Sequence, residues 1–304
     1  MGDMALDLTP VGIWTGALDT VPSARARELA AEIESLGFGA LWLPEVAGRD
    51  PFVHLSMLLS STERLVGATG IANIWARDAV ATSCATTSLE EAHPDRVLVG
   101  LGVSHQPLVN DLRGHDYGKP LTAMRRYLDG IDNAPFSAQR PSTPAKYVLA
   151  ALRTKMLQLS GERTEGAHPY FVTPEHTAKA RETLGDRPLL CPEQAVLIES
   201  DPDRAREIGR TYTSTYLGLP NYRNALLDLG FDESEMDDGG TDAVVDALVA
   251  WGDLDTIRDR VRQHLAAGAD HVCVQALPVE KRGLPDDQWR ELAPALTGLT
   301  ARTG

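Results

Sequence analysis

Cysteine is scarce in this chain: three residues among 304, at Cys84, Cys191 and Cys273. The number is odd and the spacings are wide, which rules out a CxxC zinc or redox motif and points to buried structural thiols. Positive charge is also short. Twenty-nine Lys and Arg stand against 43 Asp and Glu, for a formal net charge of -14 and a pI near 5.0. The field of such a chain repels nucleic acid and anionic membrane, so neither is expected as a partner. An anionic ligand would have to be met by local cations or helix N-termini. No run of about 18 apolar residues occurs, so no membrane-spanning helix is expected. The opening MGDMALDLTPVGIW has neither a basic n-region nor a long apolar h-region, and is not read as a secretory signal. Gly2 could begin a myristoylation signal, but position 6 is Leu6 where Ser or Thr is needed. The expectation is a reduced, cytoplasmic protein.

What remains is ordinary globular composition, 43% hydrophobic and 24% charged, with ample length for a large core. Its clearest stretch is RLVGATGIANIWARDAVATSCATTSLEEAHPDRVLVGLGVSH, from Arg64 to His105. Two apolar runs, Leu65–Ile71 and Val97–Val103, flank a helical segment from about Asp78 to Ala92, as buried parallel strands joined by a crossover helix do. The same alternation runs through the chain. Further strands are predicted at Val11–Thr15, Ala40–Leu43, Tyr147–Leu152, Ala167–Val172, Ala195–Glu199 and His271–Leu277. Helices lie between them, one beginning at Ser23 as its cap and ending near Gly37. An extra segment, Thr213 to about Asp246, reads as an insertion before the last unit. Eight strands alternating with helices predict an α/β (β/α)₈ TIM barrel, residues 1–304 forming one domain. A doubly wound open sheet is the second choice.

The chemistry of such a fold gathers at the C-terminal ends of its strands. GLG at Gly100–Gly102 is a poor dinucleotide fingerprint, because the third glycine position of GxGxxG is occupied by His105 and no helix opens there. No HExxH or HxH motif occurs, so no metal is expected. His93 sits in a helix-to-strand turn and reads as structural. His105, directly beyond a strand end, is a candidate acid or base. Glu45 follows the second strand, where a carboxylate can hydrogen-bond a polar ring or a substrate. Trp14 and Trp75 end or follow strands, and are candidate walls of an apolar substrate pocket.

Together these motifs resemble the luciferase-like monooxygenase superfamily, and within it the coenzyme F420-dependent oxidoreductases. The carriers are GFGALWLPE, VGATGIANIWARDA, EEAHPDRVLVGLGVSH, YGKPLTAMRRYLDG, EGAHPYFVTPEH and LAAGADHVCVQAL, spread from about Val11 to Leu296. The resemblance implies a deazaflavin ring across the barrel mouth and hydride transfer at its C5 to or from a small organic substrate. It implies a non-proline cis peptide at Gly70–Ile71 supporting the ring. By the same matching, Glu45 and Asn73 contact the ring's polar edge, and Gly102 and Ser104 lie in the ring site. Gly166 and Ala167 would approach the phosphate tail, and His105 and Glu45 would be the catalytic groups. A homodimer is also implied.

Two departures qualify the resemblance. Asp95 stands where many relatives have glycine, a turn position that Asp tolerates. The five lysines are scattered, which argues against a sugar-phosphate substrate. An FMN-dependent monooxygenase on the same barrel is one alternative, and a non-catalytic ligand-binding barrel another.

Overall fold

A computed structural model describes residues 6, 8–279 and 283–300. Gly2 lies outside them. Ten strands, all parallel to their neighbours, form one sheet. They are β1 (Val11–Trp14), β2 (Ala40–Leu43), β3 (Val66–Asn73), β4 (Val97–Gly102), β5 (Lys146–Leu149), β6 (Gly166–Ala167), β7 (Leu189–Leu190), β8 (Glu193–Ile198), β9 (Val249–Gly252) and β10 (Val272–Ala276). The order is β7-β6-β5-β4-β3-β2-β1-β10-β8-β9. β7 and β8 are two halves of one strand path, interrupted at Pro192, which has no N–H for a ladder. Along that path Cys191 N–H donates to Ala167 O and Glu193 N–H to Pro169 O. On its other edge Asp270 N–H donates to Leu190 O and Cys273 N–H to Pro192 O. The path therefore joins β6 to β10 and curls the sheet into the predicted barrel.

The helices are α1 (Ser23–Ser35), α2 (Pro51–Leu59), α3 (Ala79–Ala92), α4 (Pro120–Asp132), α5 (Thr154–Arg163), α6 (Pro174–Leu184), α7 (Pro202–Leu217), α8 (Pro220–Leu227), α9 (Asp242–Leu248), α10 (Leu254–Ala266) and α11 (Asp286–Leu296). Several start on a side-chain cap. Asp50, Asp78, Thr173, Asp201 and Asp253 each accept a backbone N–H of the first turn. Ser23 is not such a cap: Pro22 takes that position, without a side-chain bond.

Alternation along the strands sorts the core into two layers. Val11, Ile13, Leu41, Leu43, Val97, Val99, Val272 and Val274 pack with the helices. Trp14, Ala40, Trp42, Ala68, Leu98, Val148, Cys191 and Cys273 pack together on the opposite, inner side. Cys191 and Cys273 are buried free thiols, and burial pushes both up from their ordinary pKa.

Three expectations need correction. The sixth strand ends at Ala167 rather than Val172, because Pro169 follows and Phe171 adopts φ 60°. The seventh begins at Leu189 rather than Ala195. The insertion is a helical cap, with α7 running on to Leu217 before α8 and α9, and β9 adds an unforeseen strand beside β8. Asp95 does take the left-handed turn, at φ 57°. No described helix is long and apolar enough to cross a membrane.

Candidate active site

The mouth of the barrel is built around the end of β3. The Gly70–Ile71 peptide is cis, and the β3–β4 ladder shifts register between Thr69 and Ala72. Trp14 Nε1–H donates to Gly70 O at 3.0 Å, so the strand-one tryptophan is tied to this irregularity from inside. The two glycines of GLG match its shape. A Cβ on Gly102 would meet Ile71 Cδ1 at 2.5 Å, and one on Gly100 would collide with the Thr69 carbonyl. Gly102 thus clears space for Ile71, whose half-buried side chain lies over it.

A charged clamp holds the same strand end from behind. Glu45 accepts Asn73 N–H at 2.7 Å and takes both arms of Arg77, at 2.9 and 2.6 Å. Arg77 also reaches Asp50 at 2.8 Å, and Arg113 lies 3.8 Å from Glu45. The Glu45 side chain is only 7% exposed. Asn73 is buried, and its Oδ1 accepts Trp75 N–H. Trp75 Nε1–H donates to Val103 O. Arg77 was not foreseen, because its pairing with Glu45 spans 32 residues and leaves no local signature.

Beyond β4, Ser104 adopts φ 58° and its carbonyl accepts the Tyr117 hydroxyl. His105 is half-buried, 5.5 Å from the Tyr222 ring of α8. Burial lowers its pKa, opposed by a hydrogen bond with Asn221, so the imidazole is neutral at pH 7. It can act there as a neutral donor or acceptor.

Gly166 and Ala167 stop one residue short of this rim, Ala167 lying level with Leu149, Leu101 and Ala72. They are buried between β5 and β7, and a Cβ on Gly166 would collide with the Leu189 carbonyl. The HPYF segment that follows reaches the mouth instead. His168 Nδ1–H donates to Cys191 O at 2.7 Å. A carbonyl only accepts, so Nε2 is the bare nitrogen; it is buried without a partner and lies against Gly70. Burial lowers the His168 pKa to about 4. Tyr170 O–H donates to Gln275 Oε1 at 2.7 Å and its oxygen accepts the Tyr216 hydroxyl at 2.7 Å, while its ring lies 5.1 Å from Trp14. Behind it Glu193 accepts Phe171 N–H at 3.1 Å and the Tyr212 hydroxyl at 3.4 Å. Burial raises the Glu193 pKa to about 8, so the acid is largely protonated at neutral pH. None of these tyrosines was foreseen as part of the site, although HPYF was among the motifs carrying the resemblance. Among the described residues no cluster of His, Cys, Asp or Glu could hold a metal ion.

The family profile described as luciferase-like monooxygenase matches residues 7–271. The chain belongs to this family. A putative coenzyme F420-dependent oxidoreductase of Mycobacterium tuberculosis is 30% identical over 156 residues. That stretch is 51% of this chain and 43% of the relative, so it spans under half of the relative's length. A 5,10-methylenetetrahydromethanopterin reductase of Methanolobus tindarius is 25% identical, covering 85% of this chain and 93% of its own. Among solved structures, the coenzyme F420-dependent tetrahydromethanopterin reductase of Methanopyrus kandleri superposes with a TM-score of 0.71 at 16% identity. It covers 95% of this chain and 98% of its own. The FMN-bound oxygenating constituent of a Pseudomonas putida 3,6-diketocamphane monooxygenase gives 0.70 at 12%, covering 97% and 100%. At these identities the two structures speak for the fold of this luciferase-like protein.

Proposed function

We infer that this luciferase-like protein is an oxidoreductase that works with coenzyme F420 on a small organic substrate. The observation that carries the reading is the shaped end of β3, where Trp14 holds the Gly70 carbonyl, Glu45 holds the Asn73 N–H and Ile71 lies over Gly102. The half-exposed Ile71 over Gly102 fits the face of a planar ring. Asn73, Ser104 and His105 would border it. When bound there, the deazaflavin supplies hydride chemistry at C5.

This chain's residues do the rest. Glu45 is engaged by Arg77 and the Asn73 N–H, so its task in this reading is to hold the ring-bearing strand end in place. His105, neutral at pH 7, is the protic group at the rim and would hydrogen-bond the ring or the substrate. Trp14 and Trp75 hold backbone carbonyls around the site and exclude water. Gly166 and Ala167, which form β6 up to its C-terminal end, would meet the phosphate tail through backbone alone. The F420-named relatives support the choice of cofactor.

FMN is the second reading, favoured by the FMN-bound monooxygenase of the same fold. Titrating the purified protein separately with F420 and FMN, following ring fluorescence, separates the two. F420 binding with little FMN binding is expected. FMN binding without F420 binding would reverse the assignment, and binding of neither would favour a barrel that has lost the cofactor.

A further inference from the structure

A second opening lies on the opposite side of the mouth, between α7 and the chain leaving β10. It has a volume of about 410 Å³ and is lined by Ile208, Thr211, Tyr212, Gln275, Leu277 and Val279, with Arg204 and Glu207 at its edge. That size is within the range of small-molecule sites. Its walls are largely apolar. Its lining cation, Arg204, is already paired with Glu199 at 3.1 Å, and Glu207 and the acidic chain disfavour anions.

The polar groups of this cleft converge on one wall. Gln275 Oε1 accepts from Tyr170, while the described hydrogen bonds include none from the Gln275 amide N–H groups to a protein acceptor. Tyr212 makes only long bonds, 3.3 Å to Tyr170 and 3.4 Å to Glu193. Tyr170 and Trp14 separate the cleft from the β3 end by two side chains. β10 pairs with β1 in the register Ile13↔Val274, which sets Gln275 beside Trp14. Tyr170 bridges the two, bonded to Gln275 and packed on Trp14.

The geometry points to this cleft as the site of a neutral substrate, with an apolar body along Ile208, Leu277 and Val279 and one accepting oxygen against the Gln275 amide. Calling the ligand a substrate rests on the oxidoreductase reading; its binding does not. A ligand held by one neutral donor is discriminated by desolvation, because a carboxylate would enter apolar walls with no free cation to meet it.

The test uses the full chain without cofactor. Isothermal titration calorimetry is run with 2-heptanone, heptanoate and heptylamine. Saturable binding of 2-heptanone is expected, with heptanoate at least tenfold weaker. Gln275→Leu should weaken 2-heptanone roughly tenfold, the loss of one hydrogen bond. Thr211→Trp, at an exposed helix position, should fill the cleft and abolish binding without moving the thermal midpoint. Equal binding of heptanoate, ketone binding that survives Thr211→Trp, or no saturable ketone binding would each overturn the proposal. Because no cofactor is present, failure here leaves the F420 titration standing, and failure of that titration leaves this result standing.

Discussion

On the β2–β3 side of the mouth, polarity is handled with full charges: Glu45, Arg77, Asp50 and Arg113 cancel one another around a buried carboxylate. On the β8–β10 side it is handled without charge, by Tyr170, Tyr212, Tyr216, Gln275 and a Glu193 kept protonated by burial. A clamp of ions fixes backbone in one geometry and sets charge against whatever lies beside it. A network of hydroxyls and amides keeps spare donors and tolerates an apolar guest. The first side is suited to holding a rigid ring platform, and the second to receiving a neutral molecule.

The difference can be broken by mutation, and the largest effect is expected at the clamp. Arg77→Met strands the buried Glu45 carboxylate and should cost about 3–5 kcal/mol of stability by urea unfolding. A loss below about 1 kcal/mol would mean that Arg113 takes over and that the clamp is dispensable. Gly102→Ala comes next. It forces a methyl into Ile71 and should cost about 1–3 kcal/mol, together with weakened F420 binding.

Glu193→Gln should be the mildest in acid, below about 1 kcal/mol at or below pH 4.5, because there the amide replaces an acid that is protonated in both folded and unfolded chains. Its signature is in the pH dependence. The folded pKa of about 8 lies above the ordinary 4.5, so the folded state holds the proton more tightly. Stability linked to Glu193 is present below pH 4.5 and is lost as pH rises towards 8. Stability of the Gln variant relative to the parent should therefore rise over that window, and a flat difference from pH 5 to 8 would show Glu193 to be ionised.

The buried histidines run the other way. His168 and His271 are lowered to about 4 by burial. The unfolded chain takes up protons that the folded one refuses, so stability falls as pH drops from 6.5 to 4. His271→Gln should reduce that slope in acid unfolding curves; an unchanged slope would place the titrating groups elsewhere.

The barrel was legible because buried parallel strands write themselves as apolar runs. It blurred where polar residues enter the interior: Glu193 and Gln194, with Pro192 before them, hid the start of the seventh strand, and the run VVDALVAWG merged α9 with β9. At the site, Gly70–Ile71, Asn73 and His105 were locally readable as strand-end residues. The partners that define their surroundings were not. Glu45–Arg77 and Tyr170–Gln275 join residues 32 and 105 positions apart, and one chain carries no mark of such pairings. The contact between Gly102 and Ile71, its neighbour across the sheet, was likewise unreadable, because it joins residues 31 positions apart on two strands.

The structure of the protein with F420 bound tests the central claim most directly. The account predicts the ring against Ile71, bordered by Asn73 and His105, with the cleft beside Gln275 left open. A ring seated in that cleft, away from the end of β3, would contradict it.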